Sequence, residues 1–226
     1  MWNSEKWPIQ DPTKLQLFSL NTPNGIKAST MLEETGLPYE AHRVNILEDV
    51  QFRDDYKKLN PNSKIPALLD PTGADGQPLA IMESGAILIH LAEKSGKLMP
   101  RDARGRSECL QWLFMQVGHV GPMFGQFGHF YKYAKDKCDH PYPVERYANE
   151  TRRLFGVLNM RLADHEFLAG EYSIADVATW PWVAGIRDHY AAFEYLGADE
   201  HTHLMRWLGQ CEERPASQRG REVCPL

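Results

Sequence analysis

Along this chain of 226 residues the pattern of apolar positions changes once, and that change limits the fold more than any single motif. Before residue 100, strand-like runs alternate with helical ones; beyond Pro100-Arg101-Asp102 only helical spacing remains. In the first part Leu15-Gln16-Leu17-Phe18-Ser19 alternates as a strand does, and residues 39–44 read as a second strand. Residues 67–70 and 79–82 are short strands around the turn Pro71-Thr72-Gly73-Ala74-Asp75-Gly76. Helices are predicted over 26–36, 52–59 and 83–95, stopped by Gly36-Leu37-Pro38, Asn60-Pro61-Asn62 and Gly96. A βαβ unit followed by a hairpin and a covering helix is a compact α/β domain. In the second part Leu110, Leu113, Phe114 and Val117 fall at i, i+3, i+4 and i+7, and Leu154, Leu158 and Leu162 mark a second long helix. Residues 174–190 and 203–212 supply two more. The expected organisation is an extension over 1–14, an α/β domain over 15–97, a linker over 98–103 and an all-helical domain over 104–226.

Composition removes several function classes. The chain is 42% hydrophobic and 24% charged, as a soluble globular protein is. Its net charge is −5, with 10 basic and 13 acidic residues in positions 1–100 and 15 and 17 in the remainder. Neither half is basic, which argues against a nucleic-acid partner. No run approaches the roughly 18 apolar residues of a membrane span. Met1-Trp2-Asn3-Ser4-Glu5-Lys6-Trp7-Pro8 lacks the apolar core of a signal peptide, and a cytoplasmic location is expected. Cys109, Cys138, Cys211 and Cys224 form no CxxC pair and read as free thiols. His201-Thr202-His203 and Cys138-Asp139-His140 lack a third ligand, so no metal site is predicted.

Three short segments carry chemistry. Thr22-Pro23-Asn24-Gly25 sits between the first strand and the first helix. Its hydroxyl and amide stand where a helix N-terminus presents unpaired N–H groups and a positive dipole, which suits an anion or thiolate as well as a plain N-cap. Asn62-Ser63-Lys64-Ile65-Pro66 leads into the third strand; Ile65–Pro66 is a candidate for the cis form, with the Ile65 backbone free to pair with a peptide-like ligand. Glu83-Ser84 opens the third helix, where Ser84 and backbone N–H groups can hold a carboxylate and Glu83 can accept from an ammonium; ordinary capping uses the same residues. Gly118, Gly121, Gly125 and Gly128 leave room for a ligand, a second subunit or a kinked core helix. Phe124, Phe127 and Phe130 either pack in the core or line a substrate site.

In this order the three segments resemble the glutathione site of cytosolic glutathione transferases, with 15–97 as the thioredoxin-like domain and 104–226 as the helical domain. Phe167-Leu168-Ala169-Gly170-Glu171-Tyr172-Ser173-Ile174-Ala175-Asp176 is similar to the family's folding signal, with Ser173 and Asp176 spaced as a capping box. Thr22-Pro23-Asn24-Gly25, 60–66 and Gly128-His129-Phe130-Tyr131 resemble the nu class in particular. That resemblance implies a homodimer with disulfide-bond oxidoreductase activity, binding two glutathiones or one glutathione disulfide per site. It places Thr22 and Asn24 near sulfur, and Gln51, Lys64, Ile65, Glu83 and Ser84 on the first glutathione. Arg146, with His129, is placed toward the second. The short extension and Tyr131-Lys132-Tyr133 depart from the class pattern.

The thiol chemistry follows from magnitudes. A free thiol with a pKa of about 8.5 is only a few per cent thiolate at neutral pH. Lowering that pKa by one or two units takes about 1.4–2.7 kcal/mol, within reach of hydrogen bonds from Thr22 and Asn24 at a helix start. Residues 1–100 contain no cysteine, so both reducing sulfurs come from bound glutathione, one attacking the disulfide and the other resolving the mixed disulfide. Two other readings remain: conjugation of glutathione to a hydrophobic electrophile, and a non-enzymatic glutathione-binding regulator.

Overall fold

The structure, a computed structural model, describes residue 2 and residues 4–225. Packing divides the chain into two units, Met1–Lys97 with Arg214–Leu226, and Leu98–Glu213.

In the first unit the order is β1 (Leu15–Ser19), α1 (Pro23–Thr35), β2 (Tyr39–Arg43), α2 (Asp54–Lys57), β3 (Ala67–Asp70), β4 (Leu79–Ile81) and α3 (Ser84–Ser95). The strands lie in the order β2-β1-β3-β4, with β1 parallel to β2 and the other pairs antiparallel. This mixed sheet, with α1 and α3 packed together, is the thioredoxin-like arrangement. β1 and β3 are buried along their whole length, as central strands are. The helix predicted over 52–59 is shorter: two 3₁₀ turns, Ile46–Glu48 and Val50–Phe52, precede the four residues of α2. Asp70, fully buried at the end of β3, ties the sheet to α3. Burial opposes its ionisation, yet hydrogen bonds from Lys94 and His90 hold its carboxyl below the ordinary carboxylate range.

The N-terminal extension belongs to the core rather than lying outside it. Trp7 is 4% exposed and packs with Phe18 and Tyr56, and its indole N–H donates to Arg43 O at 2.9 Å. Trp2 meets Phe18 edge-on at 4.8 Å and donates to Asp55 O. Two aromatic rings bury enough apolar area to dock an otherwise polar segment.

The second unit contains α4 (Ala103–Met115), α5 (Gly121–Gly128), α6 (Tyr142–Ala163), α7 (Ile174–Asp188), α8 (Phe193–Leu196) and α9 (Thr202–Glu212). Two π-helical segments, Gln116–Val120 and His129–Tyr133, flank α5. The buried line of α4 runs through Cys109, Leu113 and Gln116, one residue off the predicted stripe, and Phe114 is 64% exposed. With Val120 these positions still follow ordinary helical spacing, i, i+4, i+7 and i+11, so the buried face is rotated from the predicted one although Leu113 belongs to both. Leu154, Leu158 and Leu162 are buried along α6 as expected. The capping box at the head of α7 is formed: Ser173 Oγ accepts from Ala175 N–H, and Asp176 accepts from Ser173 N–H and Oγ–H, Leu168 N–H and the Trp207 indole.

The predicted helical domain runs to residue 226, but the last helix, α10 (Pro215–Glu222), packs on α1 in the first unit. The reason is steric and electrostatic together. A Cβ on Gly220 would come within 2.8 Å of the Thr30 backbone, so only glycine permits this approach. Arg214 bonds Glu34 and Arg219 bonds Glu33.

Candidate functional site

The strand register brings the three sequence segments to one end of the sheet. Thr22 follows the C-terminal end of β1. Because β3 is antiparallel to β1 and Phe18 pairs with Ala67, the start of β3, and with it Ile65–Pro66, lies at that same end. β4 runs antiparallel to β3 and pairs Ile81 with Leu68, so Glu83 and Ser84 emerge there too. β2 is parallel to β1 and delivers the segment containing Gln51 from the same edge.

Helix α1 begins earlier than predicted, at Pro23, and Thr22 is its N-cap. The Thr22 hydroxyl accepts from Gly25 N–H at 3.3 Å, which leaves its own proton for an outside acceptor. No acidic residue stands in the first turn, so the positive helix end is not neutralised from within. Thr22 and Asn24 are half-buried. Gly25 is fixed by close approach, since a Cβ there would lie 1.9 Å from Leu20 O. Ser19, the hydroxyl at the end of β1, is 2% exposed and donates to Leu20 O at 3.4 Å.

The Ile65–Pro66 peptide is cis. The β1–β3 ladder starts at Ala67, so Ile65 lies outside it, half-buried, while Lys64 is exposed. Tyr56 Oη–H and Asn60 Nδ2–H both donate to Lys64 O at 2.8 Å, which fixes this corner. Gln51 is 7% exposed; its amide donates to Ile46 O, and its Oε1 is buried with no partner among the described residues. A buried acceptor without a donor is costly and fits a ligand that supplies one.

Glu83 has φ of 68°, a left-handed conformation that a non-glycine residue adopts at a cost, immediately before α3. Ser84, 9% exposed, is the first residue of α3. Its Oγ lies 3.2 Å from Lys27 Nζ, and Lys27 is itself 2% exposed. Sequence reasoning missed Lys27. A lysine set between Ile26 and Ala28 is the only signal it leaves.

Arg146 and His129 belong to the second unit. Arg146 is exposed and lines a cleft of about 600 Å³ with His119, Met123, Tyr147, Glu150 and Arg153 among its walls. Arg153 holds the Glu150 carboxyl below its ordinary range, with smaller contributions from His119 and Arg146. His129 is not among the residues lining this cleft; its ring meets Phe130 edge-on at 5.0 Å. His119, absent from the sequence reading, is the cleft's imidazole. Phe124 and Phe127 are fully buried, against Phe155 and against Tyr131, Tyr190 and Tyr195 respectively, so they are core and line no surface. Part of the glycine row serves the same packing, Gly121 and Gly125 facing Trp182 and Gly128 lying flat against Tyr190, whereas Gly118 faces open space. Among the described residues no cluster of metal-binding side chains occurs, and no helix is long and apolar enough to cross a membrane.

Comparisons with known proteins give the family. Residues 23–94 match the model of the glutathione S-transferase N-terminal domain, and residues 142–215 that of the C-terminal domain. The chain is 45% identical over 218 residues to the disulfide-bond oxidoreductase YghU of Escherichia coli (strain K12), covering 92% of this chain and 74% of that protein. A glutathione transferase family member from Pseudomonas fluorescens pf-5, solved with two glutathione bound, superposes with a TM-score of 0.95 at 50% identity over 97% of each chain. A glutathione transferase from Pseudomonas putida, with one glutathione disulfide bound per subunit, gives 0.94 at 49% identity, covering 96% of this chain and 95% of that one. The chain belongs to the glutathione transferase superfamily and is an enzyme of that family.

Proposed function

We propose that this protein is a nu-class, glutathione-dependent disulfide-bond oxidoreductase, working as a cytoplasmic homodimer on a small disulfide. The observation that carries the reading is the Thr22 cap, a hydroxyl with a spare proton at an acid-free helix start, with no reactive cysteine beside it. One cysteine does belong to the first unit. Cys224 is 7% exposed, and burial pushes its thiol up to about 11, so it stays protonated at neutral pH. The first unit's own sulfur is therefore unsuited to exchange, and in this reading the reducing sulfurs come from glutathione.

Glutathione is consumed here and so acts as a substrate. Thr22 donates to its sulfur and, with Asn24 and the helix end, favours the thiolate. Gln51, Lys64, the Ile65 backbone, Glu83 and Ser84 hold the tripeptide. The thiolate attacks one sulfur of the substrate disulfide, whose S–S bond breaks and releases a first thiolate. A second glutathione thiolate then attacks the glutathione sulfur of the mixed disulfide and releases the second. Two thiols become glutathione disulfide, one substrate disulfide becomes two thiols, and their two protons pass to the departing sulfurs. Arg146 is the cation that the class resemblance assigns to the second glutathione's carboxylates. The two relatives solved with two glutathiones or with glutathione disulfide support this stoichiometry. Burial of Phe124 and Phe127 removes two rings from the aromatic wall, Phe124 to Tyr133, that the conjugating alternative would use, while Phe130 and Tyr131 stay half-buried and Tyr133 exposed.

The test is reduction of a small disulfide by glutathione. Thr22→Ala is expected to lower kcat/KM roughly 10- to 100-fold, the equivalent of about 1.4–2.7 kcal/mol, while Cys224→Ser keeps it. Full activity in Thr22→Ala, or its loss in Cys224→Ser, would overturn the assignment.

A further inference from the structure

We propose that Lys27 is a positioning residue: by donating into Ser84 Oγ from behind, it turns the serine's own proton outward, toward a carboxylate of the bound ligand. The inference rests on the glutathione site proposed above and concerns how that site is held ready.

The geometry is specific. Lys27 lies in the second turn of α1, the helix that Thr22 caps, and its ammonium crosses to the first residue of α3. One side chain thus links the helix start assigned to sulfur with the helix start assigned to carboxylate. A hydroxyl has one proton and two lone pairs. When Ser84 Oγ accepts from Lys27, its O–H cannot point back at the ammonium and is left to donate to the outside. The lysine's charge also adds to the positive end of α3. A neutral amine does the reverse, because it accepts the serine proton and turns the site's donor inward.

That reversal falls within the working pH range. Burial pushes the Lys27 ammonium down to about 7, with the Glu83 carboxylate pulling the other way. The other charged groups on the elements around α1 are engaged elsewhere. On α10 and before it, Arg219 bonds Glu33 and Arg214 bonds Glu34. On α3, His90 and Lys94 bond Asp70, and β1 carries no ionisable side chain. Arg221 and Glu222 of α10 and Glu93 of α3 complete the set. Of these charges it is the Glu83 carboxylate that pulls the Lys27 ammonium up, against the burial that lowers it.

The experiment is calorimetric titration with S-methylglutathione, which keeps both carboxylates and the ammonium but has no thiol to titrate. For the wild-type protein the affinity is expected to fall on the order of tenfold between pH 6 and pH 8.5, the size of a charge-assisted hydrogen bond. Lys27→Met should bind weakly at pH 6 and show no such slope. Ser84→Ala, with the lysine intact, should lose most of the slope as well, since no hydroxyl remains to be turned and only the lysine's distant charge is left. A wild-type slope retained in Lys27→Met or Ser84→Ala, or no slope in the wild type, overturns the inference and leaves the glutathione site standing. Absence of any binding by the wild type at pH 6 removes the glutathione reading and this inference with it.

Discussion

At the scale of single residues, one lysine sets a cost on the fold that the site exploits. The unfolded chain binds a proton at Lys27 up to about 10.5, whereas the folded chain releases it near 7. Between those values the unfolded state holds more protons, so stability rises with pH across that window, and the full penalty is felt below about pH 7. Lys27→Met keeps the length of the side chain and removes the charge. It is expected to raise the melting temperature at pH 6 and to lose that advantage progressively toward pH 10, in thermal unfolding followed by circular dichroism. An equal effect at both ends would show that the lysine titrates normally. Thr22 and Ser84 were legible in the sequence because hydroxyls at helix starts follow a spacing rule. Lys27 was not, since its meaning lies in a partner 57 residues away.

At the scale of elements, the heads of helices do most of the organising. Asp176 is fully buried, and burial pushes its carboxyl up to about 6 despite four donated hydrogen bonds. Asp176→Ala would leave the Leu168 and Ser173 N–H groups and the Trp207 indole without their acceptor. A loss of about 3–5 kcal/mol is expected, measured by urea unfolding, with Asp176→Asn less damaging. This box was visible in the sequence because its residues are three apart. β1, β3 and the last turns of α1 and α3 were visible too, through short apolar runs and terminal glycines. The phase of α4 was not: Leu110, Phe114 and Val117 form a helical stripe of their own, more apolar than the buried line beside it. Cys109 and Gln116, which do face inward, are not residues that a hydrophobic pattern selects.

At the scale of the whole molecule, the first unit is assembled from both ends of the chain. The segment over 214–225 closes on α1 through Gly220, and it also reaches the site. Asn21 N–H donates to Cys224 O at 2.8 Å, and its amide donates to Arg221 O at 2.6 Å. Asn21 precedes Thr22, so the end of the chain steadies the turn that faces sulfur. Gly220→Val would force the two helices apart, costing about 2–3 kcal/mol as overpacking does. Hydrogen exchange should show α1 and residues 20–22 losing protection together, with glutathione affinity falling in step; exchange confined to α10 would refute the coupling. Nothing in the sequence announces this packing, because Gly220 in Arg219-Gly220-Arg221 reads as part of a solvated tail.

The place of α10 also sets an order of events during synthesis. A nascent chain folds from its N-terminus as it emerges, yet the piece that completes its first unit is translated after every residue of the second. Until then the α1 surface that Gly220 covers stays open to water, and Asn21 has neither of its anchors. A chain released up to Glu213 therefore has every residue of its second unit while the first still lacks 214–225. Competence to hold a thiolate arrives only with the last helix, so a product truncated before Arg214 is expected to be idle even where it survives.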